Sequence, residues 1–302
     1  MIMKKIYILF AILPMLMISC GKDDLEVSYQ DPADYFMPAD DATDSTSILR
    51  RNFYDEYGTY LLFNDTLQYR YEGLNSEGEE SYFTEVVDLT YYVGQTNSSN
   101  TEYYFTYLTS YPQRLQALDF LEQYVLTHTK GKMKPFSWLL VNKISGKNNL
   151  GSAVSPYAVA GQRCVAVACN YIIVASRTDA QKKNLAQRVL LALIGKMANN
   201  NADAFTEFFK VSSKYYDQSM TSDGSSLESD KEKELLYAAG FVGSSSQWGS
   251  YYPSQEDDLN QYATLLIQKT EAQLESLYGS YPLIMSKINL MRSTMISLGY
   301  VF

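Results

Sequence analysis

One histidine, His128, serves a chain of 302 residues, and that scarcity excludes more chemistry than any motif present. A zinc site built on two imidazoles is impossible within one copy of the chain. A Ser-His-Asp or Cys-His hydrolase would have to recruit His128 itself. No G-x-S-x-G elbow is present, nor a glycine-rich phosphate loop. At the end of an expected helix, His128 reads as a cation favoured by the helix dipole. Cysteine is nearly as rare, with three in all. Cys164 and Cys169 stand five apart in Cys-Val-Ala-Val-Ala-Cys. On a strand, that odd spacing sends the two sulfurs to opposite faces, where they cannot bridge each other. Both read as small buried apolar residues. Clustered positive charge is missing too: 25 basic residues face 34 acidic ones, and a field of that sign argues against nucleic acid as a partner.

The N-terminus has the three-part layout of a secretory signal: Met1 to Lys5 with two lysines, the apolar run Ile6 to Ile18, and the small residue Ser19. That run is too short to span a bilayer. Leu16-Met17-Ile18-Ser19-Cys20 resembles a relaxed bacterial lipobox, which implies cleavage before Cys20 and acylation of its new N-terminus. Each buried CH₂ adds roughly 0.8 kcal/mol of membrane affinity, so several chains on one residue tether a protein without a spanning helix. Lys22, Asp23 and Asp24 look like the signal that sends lipoproteins of the Bacteroidota phylum to the outer face of the outer membrane. A solvated charged stub has the same spacing. Removing residues 1–19 leaves 283 residues and a net charge of −11, enough for one large domain or two small ones.

Residues 20–46 hold the lipidated cysteine and then Asp31, Pro32, Asp34, Pro38, Asp40, Asp41 and Asp44, with few large aliphatics, which predicts a flexible linker. The aspartates lack EF-hand spacing. A domain is expected over 47–302. A helical start at Ile48 to Arg51 precedes strand-like runs at Thr59 to Phe63 and Leu67 to Tyr71, with a polar loop at Glu72 to Ser81. From Pro112 the residues Leu115, Leu118, Leu121 and Val125 recur at helical spacing toward His128, ended by Gly131. Strands are expected at Ser137 to Val141 and, as a pair, within Ala158 to Ala175, with a loop at Lys143 to Ser155 between them. Beyond Thr178 the pattern is helical: Asp179 to Asn199, Ala202 to Tyr215, Lys231 to Ala239, Glu256 to Tyr278 and Pro282 to Leu298. Ser254, three residues before Asp257, caps the fourth of these. Ile284, Ile288, Met291 and Met295 form a packing stripe on the last. The fold class is therefore α+β: a mixed α/β sheet region followed by a mostly helical half. No repeat of fixed period is visible.

This layout resembles a family of outer-membrane lipoproteins described as substrate-import-associated zinc metallopeptidases. The residues that carry the resemblance are Asn52-Phe53, Tyr57-Gly58, Ala160-Gly161-Gln162-Arg163 before the strand Cys164 to Ala168, the helix Asn184 to Asn199, Gly240-Phe241-Val242, and Ser254 to Tyr262. It implies a zincin-like C-terminal half in which the helix Leu185 to Asn199 carries H-E-x-x-H. Two imidazoles four residues apart reach one Zn²⁺, and the Glu between them takes a proton from metal-bound water. In register this chain has Ala192-Leu193-Ile194-Gly195-Lys196. Ala192 has no donor atom, Leu193 cannot accept a proton, and Lys196 brings an ammonium with no lone pair. The third family ligand falls near Gln261, with Asp257 or Asp258 reachable by a small alignment slip.

The resemblance thus implies a degenerate member without cofactor, an accessory subunit of a SusC/SusD-type importer. Its partners would be a TonB-dependent barrel and a lipoprotein lid, and its ligand a peptide or an oligosaccharide. The 27 tyrosines supply flat rings with polar tips. The expected ligand platforms are Tyr103, Tyr104, Tyr107, Trp248, Tyr251 and Tyr252, although such rings serve a core equally well. The competing class is a glycan hydrolase using two carboxylates without metal, for which Glu207, Glu256, Asp257 and Asp258 are candidates that nothing in the sequence pairs.

Overall fold

Two short runs, Ser137-Trp-Leu-Leu-Val141 and Cys164-Val-Ala-Val-Ala168, are buried at every residue, the signature of parallel strands covered on both faces. They lie side by side at the centre of a four-stranded sheet. The computed structural model describes residues 35–89, 101–148, 151–173, 177–245 and 250–302. Cys20, Lys22, Asp23, Asp24 and Trp248 lie outside the described residues.

The described chain runs through α1 (Ser45–Tyr57), β1 (Tyr60–Leu62), β2 (Thr66–Leu74), β3 (Glu80–Val86), β4 (Glu102–Thr106), α2 (Tyr111–Tyr124), β5 (Ser137–Val141), β6 (Lys143–Lys147), β7 (Ala153–Val154), β8 (Ala158–Ala160) and β9 (Cys164–Ala168). Helices follow: α3 (Asp179–Asn200), α4 (Thr206–Lys210), α5 (Ser229–Ala238), α6 (Gln255–Gln268), α7 (Glu271–Tyr278) and α8 (Pro282–Leu298). The fold is α+β, with strands first and helices after.

The central sheet has the order β1-β5-β9-β8. The first three strands are parallel, and β8 closes one edge antiparallel to β9. Alternation along the strands sorts the side chains between two cores. Leu61, Trp138, Leu140, Val165 and Val167 enter the larger core, shared with α2, α3, α6 and α8. Leu62, Leu139, Val141, Cys164 and Ala166 face the smaller one, which Ile144, Phe105 and Leu67 cover from the other side. Cys164 and Cys169 therefore sit in different cores as free thiols. Burial pushes each thiol pKa up to about 12, so both stay protonated and unreactive at neutral pH.

Several boundaries differ from the sequence pattern. The expected loop at Lys143 to Ser155 contains β6, which pairs with β4, and β7, which pairs with β6. The single aliphatic of β6, Ile144, is fully buried, too little apolar content to announce that strand. The polar loop expected from Glu72 shrinks to residues 75–79, because β2 continues to Leu74 and β3 begins at Glu80. The helix expected over Glu256 to Tyr278 is two helices: Thr270 starts a new one, its hydroxyl accepting from Gln273 N–H while the Gln273 amide returns the bond. Ala202 to Tyr215 holds a 3-10 turn and the five-residue α4 before the chain breaks into turns. The helix ahead of His128 ends at Tyr124, and a 3-10 turn, Leu126–His128, completes the run. Gly131 opens another 3-10 turn, Gly131–Met133.

The expected linker is ordered against the domain from Tyr35 onward. The Phe36 ring meets Tyr60 and Phe136, and Arg50 and Arg51 donate to the carbonyls of Phe36, Ala39 and Ala42. The Asp44 carboxylate accepts from Thr46 and Ser47 N–H and starts α1. At the far end, Gly299 has φ +106°, and a Cβ there would stand 1.8 Å from the Lys130 carbonyl oxygen. Only glycine lets α8 end against that strap. Among the described residues no helix is long and apolar enough to cross a membrane.

Candidate functional site

Helix α3 begins with a reciprocal cap between Thr178 and Gln181, and its stripe Leu185, Ala186, Val189, Leu190, Leu193, Ile194 packs into the larger core. Lys196 continues that stripe and is only 8 % exposed. Its Nζ donates to the Gln162 carbonyl at 2.9 Å, in the turn between β8 and β9. Burial pulls its ammonium below the ordinary lysine pKa, opposed by the neighbouring Cys164. Ala192 is half-buried against the same core, and Leu193 is 1 % exposed inside it. The three positions thus serve packing and a backbone tie.

Gln261, on α6, is held apart from that tie by its own partner: its Nε2 donates to the Ser244 carbonyl at 2.8 Å. Gly243 lies under its amide, where a Cβ would come within 3.0 Å. One turn earlier, Asp258 is sealed from solvent with Lys287 of α8, their charged atoms 2.5 Å apart. The Tyr216 hydroxyl donates to the same Asp258 oxygen at 2.6 Å. The rings of Phe208, Phe241 and Tyr262 stand 4.5–4.8 Å from the Lys287 ammonium. Burial pushes the Asp258 carboxyl pKa up and the Lys287 pKa down, and each charge opposes the other's shift. This carboxylate already has a cation, the protein's own. Nothing in the sequence marked Lys287 as its partner, since the two stand 29 positions apart with the whole of α7 between their helices.

Beside the Gln162 turn lies a cavity of about 660 Å³, walled by Glu85 to Asp88 at the end of β3, by Gln162 to Cys164, and by Asn199 and Asn200 at the end of α3. Gln162 Nε2 donates to Asn200 Oδ1 at 3.3 Å, and Arg163 pairs with Glu85 at 2.5 Å. The Arg163 guanidinium also stands over Phe136 and Phe36. Amides, the Arg163–Glu85 ion pair, the Asp88 carboxylate and a thiol held protonated by burial can bind a polar ligand. Among the described residues, no three His, Cys, Asp or Glu side chains gather as a metal site would require.

The remaining candidates are scattered. Glu207 is 68 % exposed beside Lys210, whereas Asp258 is enclosed with Lys287, so these two carboxylates do not face one open cleft. Glu256 is exposed and Asp257 half-buried; the Ser254 hydroxyl accepts from Asp257 N–H. His128 closes its 3-10 turn with Nδ1 donating to the Val301 carbonyl at 2.7 Å and its ring against Tyr300.

The expected aromatic platform does not assemble as one surface. Tyr103 and Tyr107 are half-buried on the smaller core, while Tyr104, the intervening residue on β4, is 57 % exposed with its hydroxyl on Glu102. Tyr252 is a core residue packed on Tyr215 and Phe241, and Tyr251 bridges to Ser219. A cluster of exposed aromatics lies instead on the β2–β3 hairpin, whose strands, among the described residues, pair only with each other. Tyr69 and Tyr82 stack at 4.8 Å and 5°, with Tyr71 edge-on to Tyr82. All three are exposed. The alternation at Leu67 to Tyr71 was the one sequence signal for this face; its other half, β3, starts within the expected loop Glu72 to Ser81 and runs on to Val86, a stretch to which the sequence pattern assigns no element.

No family model, curated protein or solved structure matches this chain.

Proposed function

We propose that the chain is a lipid-anchored lipoprotein on the outer face of the outer membrane. It would act as a catalytically inactive, zinc-peptidase-like accessory subunit of a SusC/SusD-type TonB-dependent importer, binding substrate or docking on the importer. The observation that carries the inactive reading is the engagement of Lys196 with the Gln162 carbonyl. At that position a metallopeptidase needs a lone pair, and here an ammonium fastens the helix to the sheet. Leu193, where the general base would stand, is packed in apolar surroundings.

What supports a docking or capture role is the hairpin β2–β3. Two-stranded ribbons are marginal in water by themselves, and this one exposes Tyr69, Tyr71, Tyr82, Phe83, Leu74 and Val86. Tyr69, Tyr71 and Tyr82 share one face of the ribbon, with Glu80 on the Tyr82 hydroxyl, while Phe83 lies on the other face under Arg70; exposed rings edged by charge suit a protein partner. The lipid anchor rests on the lipobox resemblance around Cys20, and the outward export on Lys22, Asp23 and Asp24.

The test is gentle detergent extraction of native membranes with an affinity tag at the C-terminus. A TonB-dependent barrel and its lid lipoprotein should come down with the chain in fixed proportion. Recovery as a lone monomer, or mature protein lacking acyl chains on Cys20, would overturn the reading.

A further inference from the structure

At the opposite end of α3 lies a second, smaller pocket that the reading above does not use. It has a volume of about 290 Å³ and is walled by Tyr157, Tyr171, Gln181, Asn184 and Arg188, with Leu185 as its apolar floor. Gln181, Asn184 and Arg188 follow at spacings of three and four, so they stand on one face of the helix. The distance from Asn184 to Lys196 along the axis is about 18 Å at 1.5 Å per residue.

The hydrogen-bond accounting of this wall is one-sided. The Gln181 carbonyl oxygen accepts from Thr178 N–H at 3.1 Å as part of the helix cap. The Asn184 carbonyl oxygen accepts from Arg188 Nε at 3.3 Å. What these three side chains still offer is therefore weighted toward donors: two amide NH₂ groups and the outer guanidinium N–H groups, beside one remaining lone pair on each amide oxygen. Among the described residues, no Asp or Glu lines the pocket. The nearby Asp179 is turned to the other side of α3, accepting from the Tyr124 hydroxyl and pairing with Lys183.

The rings complete the arrangement. Arg188 stands over the Tyr157 ring at 4.7 Å, and with its Nε on Asn184 the terminal NH₂ groups are the part of the fork that can meet a ligand. Tyr157 and Tyr171 meet edge to face at 6.4 Å. Arg177 stacks on Tyr171 at 4.0 Å, its Nε on the Tyr171 carbonyl at 2.9 Å. In a chain of net charge −9, this is a locally positive, donor-rich concavity with aromatic walls.

We propose that this pocket binds a carboxylate group borne on a small ring or a short chain, with Arg188 holding the carboxylate through its N–H fork. Gln181 and Asn184 add amide N–H donors, and Tyr157 and Tyr171 cover the adjoining apolar or sugar surface. Two sources carry such a group, an acidic sugar and the free C-terminus of a peptide. The inference holds whether or not the chain docks on an importer.

The experiment is calorimetric titration of the full mature chain with four probes: a tetragalacturonate, its methyl ester, a tetrapeptide with a free C-terminus, and the same peptide amidated. The expected result is binding of at least one carboxylate probe and at least a tenfold loss with its neutralised counterpart. Arg188→Met, which keeps the stem over Tyr157, should lower affinity at least tenfold, and Arg188→Lys should recover part of it. Because Arg188 is exposed, both variants should keep the wild-type circular dichroism and melting temperature. Preference for the uronate or for the peptide identifies the source. Equal binding of charged and neutral probes, unchanged affinity in Arg188→Met, or no binding of either carboxylate probe at about 10 mM would overturn the proposal. None of these outcomes bears on importer co-purification.

Discussion

The Lys196 ammonium and the Gln162 carbonyl oxygen meet at 2.9 Å, and this one bond joins the C-terminal half of α3 to the turn between β8 and β9. A residue that reads as a defect in a metal motif is a fastener in the fold. Because burial depresses the Lys196 pKa, its folded-state value lies below the 10.5 expected when unfolded. The unfolded chain then holds the extra proton across that interval, so stability from this group rises as pH climbs through it. Urea unfolding of wild type and Lys196→Met between pH 8 and 10.5 should show the difference shifting toward the wild type as pH increases. A constant difference would remove the buried-ammonium account.

The Asp258–Lys287 pair makes a second expectation. Breaking a buried pair from one side strands a charge, typically at a cost of about 3–5 kcal/mol, whereas replacing both partners with apolar groups is far milder. Asp258→Leu and Lys287→Met singly should each destabilise strongly, and the double variant should be closer to wild type than either. Denaturant midpoints with unchanged m-values check this, and additive losses would contradict it.

Leu193 stands where the family resemblance would put a general base, and it is 1 % exposed in the larger core. Leu193→Glu should therefore lower stability by about 3 kcal/mol or more, through lost packing and a buried carboxyl. Combined with Ala192→His and Lys196→His, the change should yield a destabilised protein rather than an active peptidase. Thermal melts and a peptidase assay on the triple variant would show this. Full stability with restored hydrolysis would mean that the helix face is oriented otherwise.

On the hairpin, Tyr69→Ser and Tyr82→Ser should abolish recovery of the importer while leaving the melting temperature within a few degrees, because both rings are exposed and stack on each other. Co-purification at wild-type yield would show that docking, where it occurs, uses another face.

Zinc analysis of the purified wild-type chain should find less than one metal per molecule, since Ala192 and Leu193 carry no metal-binding atoms and the Lys196 ammonium is engaged. One tightly held zinc per chain would overturn the inactive reading.

Local chemistry made much of this legible beforehand. Ser137 to Val141 and Pro282 to Leu298 were bounded correctly, since an unbroken buried run and a proline-started apolar stripe each have one physical solution. The odd spacing of Cys164 and Cys169 placed them in separate cores for the same reason. The strand β6 stayed hidden because its pairing partners β4 and β7 supply the order that its own mostly polar side chains do not. The break between α6 and α7 depended on a cap at Thr270 that competes with helix continuation by a small margin.

The candidate sites divided along the same line. A single histidine settles, by count alone, that no two-imidazole centre can form in one chain, and composition fixed the acidic field. Which tyrosines face water was a matter of tertiary structure: neighbours on β4 point to opposite sides, and only the pairing of β4 with β6 decides which side is core. The union of Asp258 with Lys287 and the donor-rich wall around Arg188 likewise arise where helices distant in sequence, or the free halves of already bonded amides, come together. Hydrogen bonds and ion pairs act over about 3 Å, a distance that no one-dimensional pattern records.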